Sequence, residues 1–317
     1  MDNITDVLIE KKEFELTKPY KLSFETIKVF VSIQVTVKLD TGKEKCAEVV
    51  PLFGYSEETE DQIWASVHNY ADQIIGKELG VARDYLTQFI RKTPFSVSPF
   101  LTAIDLFEYN FNIEESEMPS TIIPLDTNGF VKDPFYQGNT FKVKLSGNLS
   151  QDVNYFNDMI NSGLKLPVVL RLDANQGFSL ENAIKFYSYL EKNKNSLPVI
   201  EYVEQPLQVS NWSGVARLIN EFKGLDTMLD EAIITKEDLI KAIDLKIPFV
   251  KLKLFKQGGI KELIELSKLA HKKGVKLILG NGVATWMSNQ VELSIYSEYR
   301  ELYYKEHEAN GFLKVKK

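Results

Sequence analysis

The sequence predicts an α/β fold, a (β/α)8-type, TIM-like barrel preceded by a smaller α+β unit. Three observations carry that prediction. At 317 residues the chain is long enough for such a barrel and a second domain. Near Pro119 its pattern changes from strands followed by helices to a regular alternation of strand and helix, which implies a parallel sheet. Ionisable residues then recur at the C-terminal ends of successive apolar strands, the face on which barrels carry their sites.

The elements follow in order. Strand patterns run from Val7 to Leu16 and from Ile27 to Leu39. A turn at Asp40, Thr41 and Gly42 leads to a third strand near Ala47 to Leu52. From Glu57 to Leu79, residues Ile63, Trp64, Val67, Tyr70, Ile74 and Ile75 fall on one helical face. Helices near Val81 to Ile90 and Pro99 to Tyr109 complete a first domain, placed at residues 1–118. The barrel, residues 119–302, has candidate strands Ile122–Leu125, Phe141–Leu145, Val168–Asp173, Ile200–Glu204, Thr227–Asp230, Phe249–Leu254 and Lys276–Leu279. Amphipathic helices such as Ser179–Lys192, Lys236–Asp244 and Ile260–Lys273 lie between them, and an eighth strand is not evident. The short basic tail, about 303–317, is assigned to the first domain.

Apolar and charged fractions of 44% and 26% are those of an ordinary globular protein, and a net charge of −6 argues against nucleic acid. The single Cys46 cannot form an internal disulfide and reads as a small strand residue. His68, His271 and His307 are expected to face solvent. The first ten residues show no signal peptide and the most apolar early run is too short to span a bilayer, so a cytoplasmic protein without membrane contact is expected.

Charge meets the apolar strands at Lys142 and Lys144, Asp173 and Asn175, Glu204, Asp230 and Glu231, and Lys251 and Lys253. Side chains alternate along a strand, so Lys142 shares a side with Lys144 and Lys251 with Lys253, while Val143, Ala174 and Leu252 turn to the outer helices. One Asp at a strand end is ordinarily a turn former and one Lys is ordinarily solvated. Five such ends in succession are not, because a barrel interior tolerates these charges only if they pair or bind metal. Three carboxylates without Cys or His suit a hard ion of the Mg²⁺ type. Such an ion acidifies the C–H next to a bound carboxylate, and a lysine whose pKa a neighbouring ammonium lowers can take the proton.

The segments Lys-Val-Lys, Leu-Asp-Ala-Asn, Val-Glu-Gln-Pro, Leu-Asp-Glu and Lys-Leu-Phe-Lys-Gln-Gly-Gly occur in that order. The region from about 121 to 290 thereby resembles the muconate lactonizing enzyme subgroup of the enolase superfamily, within the mandelate racemase/muconate lactonizing enzyme family. The resemblance implies one Mg²⁺ per site, replaceable by Mn²⁺, on Asp173, Glu204 and Asp230. Lys144 and Lys253 are then the acid/base pair, with Lys142, Asn175, Glu231 and Lys251 in support. It also makes the first domain a cap whose loops, near Thr17–Thr26 and Pro51–Glu58, select a small carboxylate substrate. Phe53, Tyr55, Asn281 and Gly282 are the pocket candidates.

The stretch from Glu48 to Thr59 is similar to a loop of o-succinylbenzoate synthases, so dehydration of that type is the leading expectation. A racemase or epimerase of N-acyl amino acids or dipeptides, a cycloisomerase, and a non-catalytic metal-binding barrel are the alternatives. Dipeptide epimerases place an Asp-x-Asp near strand eight to hold the substrate ammonium, and no Asp follows Asp244 here. Family members commonly form homo-oligomers.

Overall fold

Along the second strand Ile33, Val35 and Val37 alternate with polar neighbours, and all three are fully buried on one face of a sheet. That sheet is antiparallel, ordered β1 (Ile4–Lys21), β2 (Thr26–Leu39), β3 (Glu44–Val49), in a computed structural model that describes residues 2–21, 26–52, 57–111, 140–161, 169–281 and 283–316. Helices α1 (Glu60–Ile74), α2 (Leu79–Thr87) and α3 (Pro94–Asp105) cover its buried face. The helix predicted from Glu57 begins at Glu60, because the side chains of Thr59 and Gln62 cap each other's backbone N–H groups. It stops at Ile74, where Gly76 takes a φ of +83° and donates its N–H to Ile4 O at 2.8 Å.

The second part is a parallel sheet of seven described strands. β4 (Thr140–Lys144), β5 (Val169–Asp173), β6 (Val199–Glu204), β7 (Thr227–Leu229), β8 (Phe249–Leu252), β9 (Lys276–Asn281) and β10 (Glu308–Ala309) lie side by side in that order. Helices α4 (Leu149–Asn161), α5 (Leu180–Asn193), α6 (Trp212–Glu221), α7 (Lys236–Asp244), α8 (Leu254–Gln257), α9 (Ile260–Lys272) and α10 (Trp286–Glu298) connect them. This is the predicted barrel architecture with its cap. Candidate strand Ile122–Leu125 lies outside the described residues, and the strand that the sequence left unplaced is β10.

Two apolar layers follow from strand alternation. Val143, Leu172, Ala174, Val203, Leu229 and Leu252 pack outward against the helices. Inside, Tyr202, Met228, Phe249 and Ile278 form a small plug, and the charged residues stand nearer the strands' C-terminal ends. The strand predicted to reach Leu254 ends at Leu252. Lys253 is the N-cap of the one-turn α8, which Gly258 closes at a φ of +86°.

Cap and barrel meet through α3, every residue of which is buried. Its start at Pro94, ahead of the predicted Pro99, is capped by Glu58, whose carboxylate accepts from the N–H groups of Phe95 at 2.8 Å and Ser96 at 3.1 Å. Phe95 stacks on Phe255 with ring centroids 4.5 Å apart. Arg83 bridges Asp105 at 2.8 Å and Glu262 of α9 at 2.6 Å. The tail serves both parts. Glu308 and Ala309 pair with Gly280 and Asn281, whereas Val315 bridges Leu16 of the cap and Lys316 donates its N–H to Glu15 O at 2.8 Å. His307, predicted to face solvent, is buried edge-on to Tyr296 because it leads into β10 within the barrel wall. No helix among the described residues is long and apolar enough to cross a membrane.

Candidate active site

Parallel pairing sets Lys144 beside Asp173 and Asp173 beside Glu204, and Asp230 follows the end of β7. The side chains interlock around three carboxylates, Asp173, Glu204 and Asp230. Lys144 Nζ donates to Asp173 Oδ2 at 2.6 Å and to Asn175 Oδ1 at 2.7 Å, and Asn175 Nδ2 donates to Glu231 Oε1 at 3.1 Å. Lys142 Nζ lies 2.8 Å from Asp173 Oδ2, 2.8 Å from Glu204 Oε2 and 3.0 Å from Glu308 Oε2. Lys251 Nζ joins Glu204 Oε2 at 2.6 Å to Glu308 Oε2 at 2.7 Å. Lys253 Nζ reaches Asp230 Oδ2 at 2.6 Å. Of the two candidate bases, the Lys144 side chain is 33% exposed and that of Lys253 only 6%.

All nine charged and amide candidates therefore come together. Asn281, at the end of β9, is also buried, and its Oδ1 accepts from Val283 N at 3.0 Å. Phe53, Tyr55 and Gly282 lie outside the described residues. Gly280 has a steric role: a Cβ there would stand 2.6 Å from Cδ of Lys251, so its bare backbone makes room for that side chain.

The sequence reading missed four members. Lys256 folds back over one helical turn from Lys253 and donates to Asp230 Oδ1 at 2.7 Å and Lys251 O at 2.9 Å. Gln205, buried at the end of β6, accepts from the N–H groups of Asp230 at 3.0 Å and Ala232 at 3.1 Å. Arg171 and Glu308 form a charged floor, 3.1 Å apart and both buried. The motif Val-Glu-Gln-Pro and the second Lys of Lys-Leu-Phe-Lys were visible signals; for Glu308 the sequence offers none.

Burial works to raise the pKa of Asp173, but Lys142, Lys144 and Lys251 overcome it and hold the group below the usual carboxylate range. The same contest, with Lys253 and Lys256 as the main cations, keeps Asp230 well below that range. Glu204 goes the other way. Burial and then the charge of Asp173 push it up to about 7 despite Lys142 and Lys251. Glu231 is raised by burial and by Asp230, and its Oε2 is buried with no hydrogen-bond partner among the described residues. Lys142 is held well above its ordinary value by Asp173, Glu204 and Glu308 in spite of burial.

Five carboxylates (Asp173, Glu204, Asp230, Glu231 and Glu308) thus face five ammonium groups (Lys142, Lys144, Lys251, Lys253 and Lys256). As the side chains stand, no three His, Cys, Asp or Glu residues among those described are arranged to hold a metal ion, and lysines occupy the carboxylate oxygens. The donor chemistry nevertheless fits a hard divalent cation. Three buried carboxylates come from adjacent strands, and Glu231 adds an orphaned oxygen, a set of hard oxygen donors.

Residues 136–314 match the family described as enolase C-terminal domain-like. The L-Ala-D/L-Glu epimerase of Clostridium acetobutylicum is 22% identical over 297 residues, 87% of this chain and 82% of that protein. Two solved structures share the fold. The N-succinyl Arg/Lys racemase from Bacillus cereus is 19% identical, with a TM-score of 0.81 over 99% of this chain and 89% of that one. A dipeptide epimerase from Enterococcus faecalis, complexed with Mg and the dipeptide L-Leu-L-Tyr, is 17% identical, with a TM-score of 0.81 over 99% of this chain and 92% of that one.

Proposed function

The chain belongs to the enolase C-terminal domain-like family, and from that premise we propose that it is a Mg²⁺-dependent racemase or epimerase acting at the α-carbon of an N-acyl amino acid or related carboxylate. The observation that carries this reading is the placement of two lysines at the two ends of a carboxylate row. Lys144 sits on Asp173 and Lys253 on Asp230, each at 2.6 Å, with Glu204 on the strand between. Two bases suit the removal of a proton from one face of a carbon and its return to the other, whereas dehydration needs only one. The relatives are epimerases and racemases. They favour this class over the o-succinylbenzoate-type dehydration that the loop likeness suggested.

Asp173, Glu204 and Asp230 would hold the ion. Bound there, Mg²⁺ would neutralise charge developing on the substrate carboxylate and so acidify the adjacent C–H. Lys142 and Lys251 orient Glu204, and Asn175 links Lys144 to Glu231. Lys144 then takes the α-proton of one enantiomer and Lys253 that of the other, each returning a proton when the partner has acted as base.

The test is α-proton exchange in D₂O with each enantiomer of a panel of N-acyl amino acids. Wild type exchanges both. Lys144→Ala retains exchange with one enantiomer, Lys253→Ala with the other, and neither variant racemises. If no carboxylate on the panel exchanges, the reading falls; loss of water from the menaquinone-pathway substrate would restore the dehydratase.

A further inference from the structure

Resting on the reading of Asp230 as a metal ligand, we infer that Lys256 makes it a one-oxygen ligand and thereby sets the site's preference for Mg²⁺ over the larger Ca²⁺. The three N–H bonds of this buried ammonium are all used. Nζ donates to Asp230 Oδ1 at 2.7 Å, to the backbone carbonyl of the same residue, and to Lys251 O at 2.9 Å. With three donors on three acceptors, Lys256 has no proton to offer a substrate, and its work is on Asp230.

The grip is on one oxygen only. Asp230 Oδ2 accepts from Lys253 Nζ at 2.6 Å, and Lys253 has to leave that oxygen to act as a base. The other end of the carboxylate row is built alike. Asp173 Oδ1 accepts from Asn175 N at 3.1 Å, while its Oδ2 lies 2.6 Å from Lys144 Nζ and 2.8 Å from Lys142 Nζ. At each end one oxygen is fastened by a group outside the proton-transfer pair, and the other faces a base.

Lys256 can keep Oδ1 from an ion because its own position is fixed. Gln257 pins the one-turn helix α8, accepting from Lys253 N at 2.6 Å and donating to Ile233 O at 2.9 Å. Gly258 closes the turn against Ile90, whose Cδ1 would stand 2.5 Å from a Cβ there. Gln205 in turn accepts from Asp230 N at 3.0 Å. Asp230 is thus tied at its N–H, its carbonyl and Oδ1. Bringing both carboxylate oxygens onto one ion would break the Lys256 bond in a dry interior, which is costly. Mg²⁺ needs single oxygens in an octahedron, whereas Ca²⁺ takes six to eight and readily accepts a carboxylate through both oxygens. The tie therefore costs Ca²⁺ a donor and Mg²⁺ none.

The experiment is calorimetric titration of wild type, Lys256→Met and Asp230→Ala with MgCl₂ and with CaCl₂. Lys256→Met should narrow the preference for Mg²⁺ over Ca²⁺ about tenfold or more, the usual scale for removing a group that orients a ligand. Asp230→Ala should weaken both ions. An unchanged ratio in Lys256→Met, with binding still weakened in Asp230→Ala, overturns the role of Lys256 and leaves Asp230 a ligand. Undiminished binding in Asp230→Ala, or none by the wild type, removes the ligand reading and the inference with it. Should Lys256→Met not fold, a crystal structure of the wild type with Ca²⁺ decides. Asp230 should meet the ion through Oδ2 alone with Lys256 still on Oδ1, and contact through both oxygens overturns the inference.

Discussion

Replacing Glu48 by Ala should unfasten the cap from the barrel at one point, and the size of the effect follows from the hydrogen bonds that its carboxylate makes. Glu48 is a buried residue of β3 whose Oε1 accepts from Thr285 N at 2.9 Å, Thr285 Oγ1 at 2.7 Å and Ser288 N at 3.2 Å, while Oε2 accepts from Ser32 Oγ at 2.6 Å. The two N–H groups belong to the first turn of α10, so the carboxylate also meets the positive end of that helix. Two buried N–H donors left unmet cost about 1–3 kcal/mol each, and removal of the charge–dipole interaction about 0.5–1 kcal/mol. With some relief from entering water, Glu48→Ala should destabilise by about 3–5 kcal/mol. Glu48→Gln keeps the Oε1 acceptor and should lose only about 1 kcal/mol. Urea unfolding followed by circular dichroism measures both. If the Ala variant falls within about 1 kcal/mol of wild type, or Gln is as damaging as Ala, the carboxylate is not a latch between the two parts.

Asp173→Ala and Glu204→Ala should each weaken Mg²⁺ binding by about tenfold or more in calorimetry, and unchanged affinity would refute those ligands. Glu308→Gln leaves Lys142, Lys251 and Arg171 sharing one negative charge fewer in a dry interior. It should destabilise by about 3–5 kcal/mol in denaturant titration, and a change under about 1 kcal/mol would discard the charged floor. Burial pushes Glu292 of α10 up to about 8 from an ordinary value of 4.5. The folded state therefore holds a proton that the unfolded chain releases, and stability falls as pH rises through that interval. Glu292→Gln should remove a pH-dependent loss on the order of a few kcal/mol, seen by comparing unfolding at pH near 5 and near 8; equal pH slopes in both proteins would contradict this.

Much of the barrel was legible because its strands are apolar runs whose ends carry charge, and parallel pairing alone then aligns Lys144, Asp173 and Glu204. What escaped depends on contacts that no local pattern encodes. Lys251, Leu252, Lys253 and Leu254 continue an alternating pattern and so read as strand. The chain turns helical there because Gln257 accepts from Lys253 N at 2.6 Å and Gly258 supplies the left-handed residue that closes the turn. The same turn swings Lys256 onto Asp230. Two residues are too few to show a period, so β10 was invisible, and with it the burial of His307 and the role of Glu308.

That return also sets an order of events during synthesis. Thr17 and Lys314 are 297 positions apart, and Glu15 and Lys316 301 apart. Helices α1–α3 can pack on the cap sheet while the barrel is still being made. The segment of β1 around Leu16 must wait for its last partner until nearly three hundred further residues have followed. Contacts between such distant positions form late, because a long loop must close first. For that interval the nascent chain carries an exposed strand edge, a hazard for association with other copies. Glu308, which Lys142 and Lys251 share, likewise reaches its place only once β10 has been made.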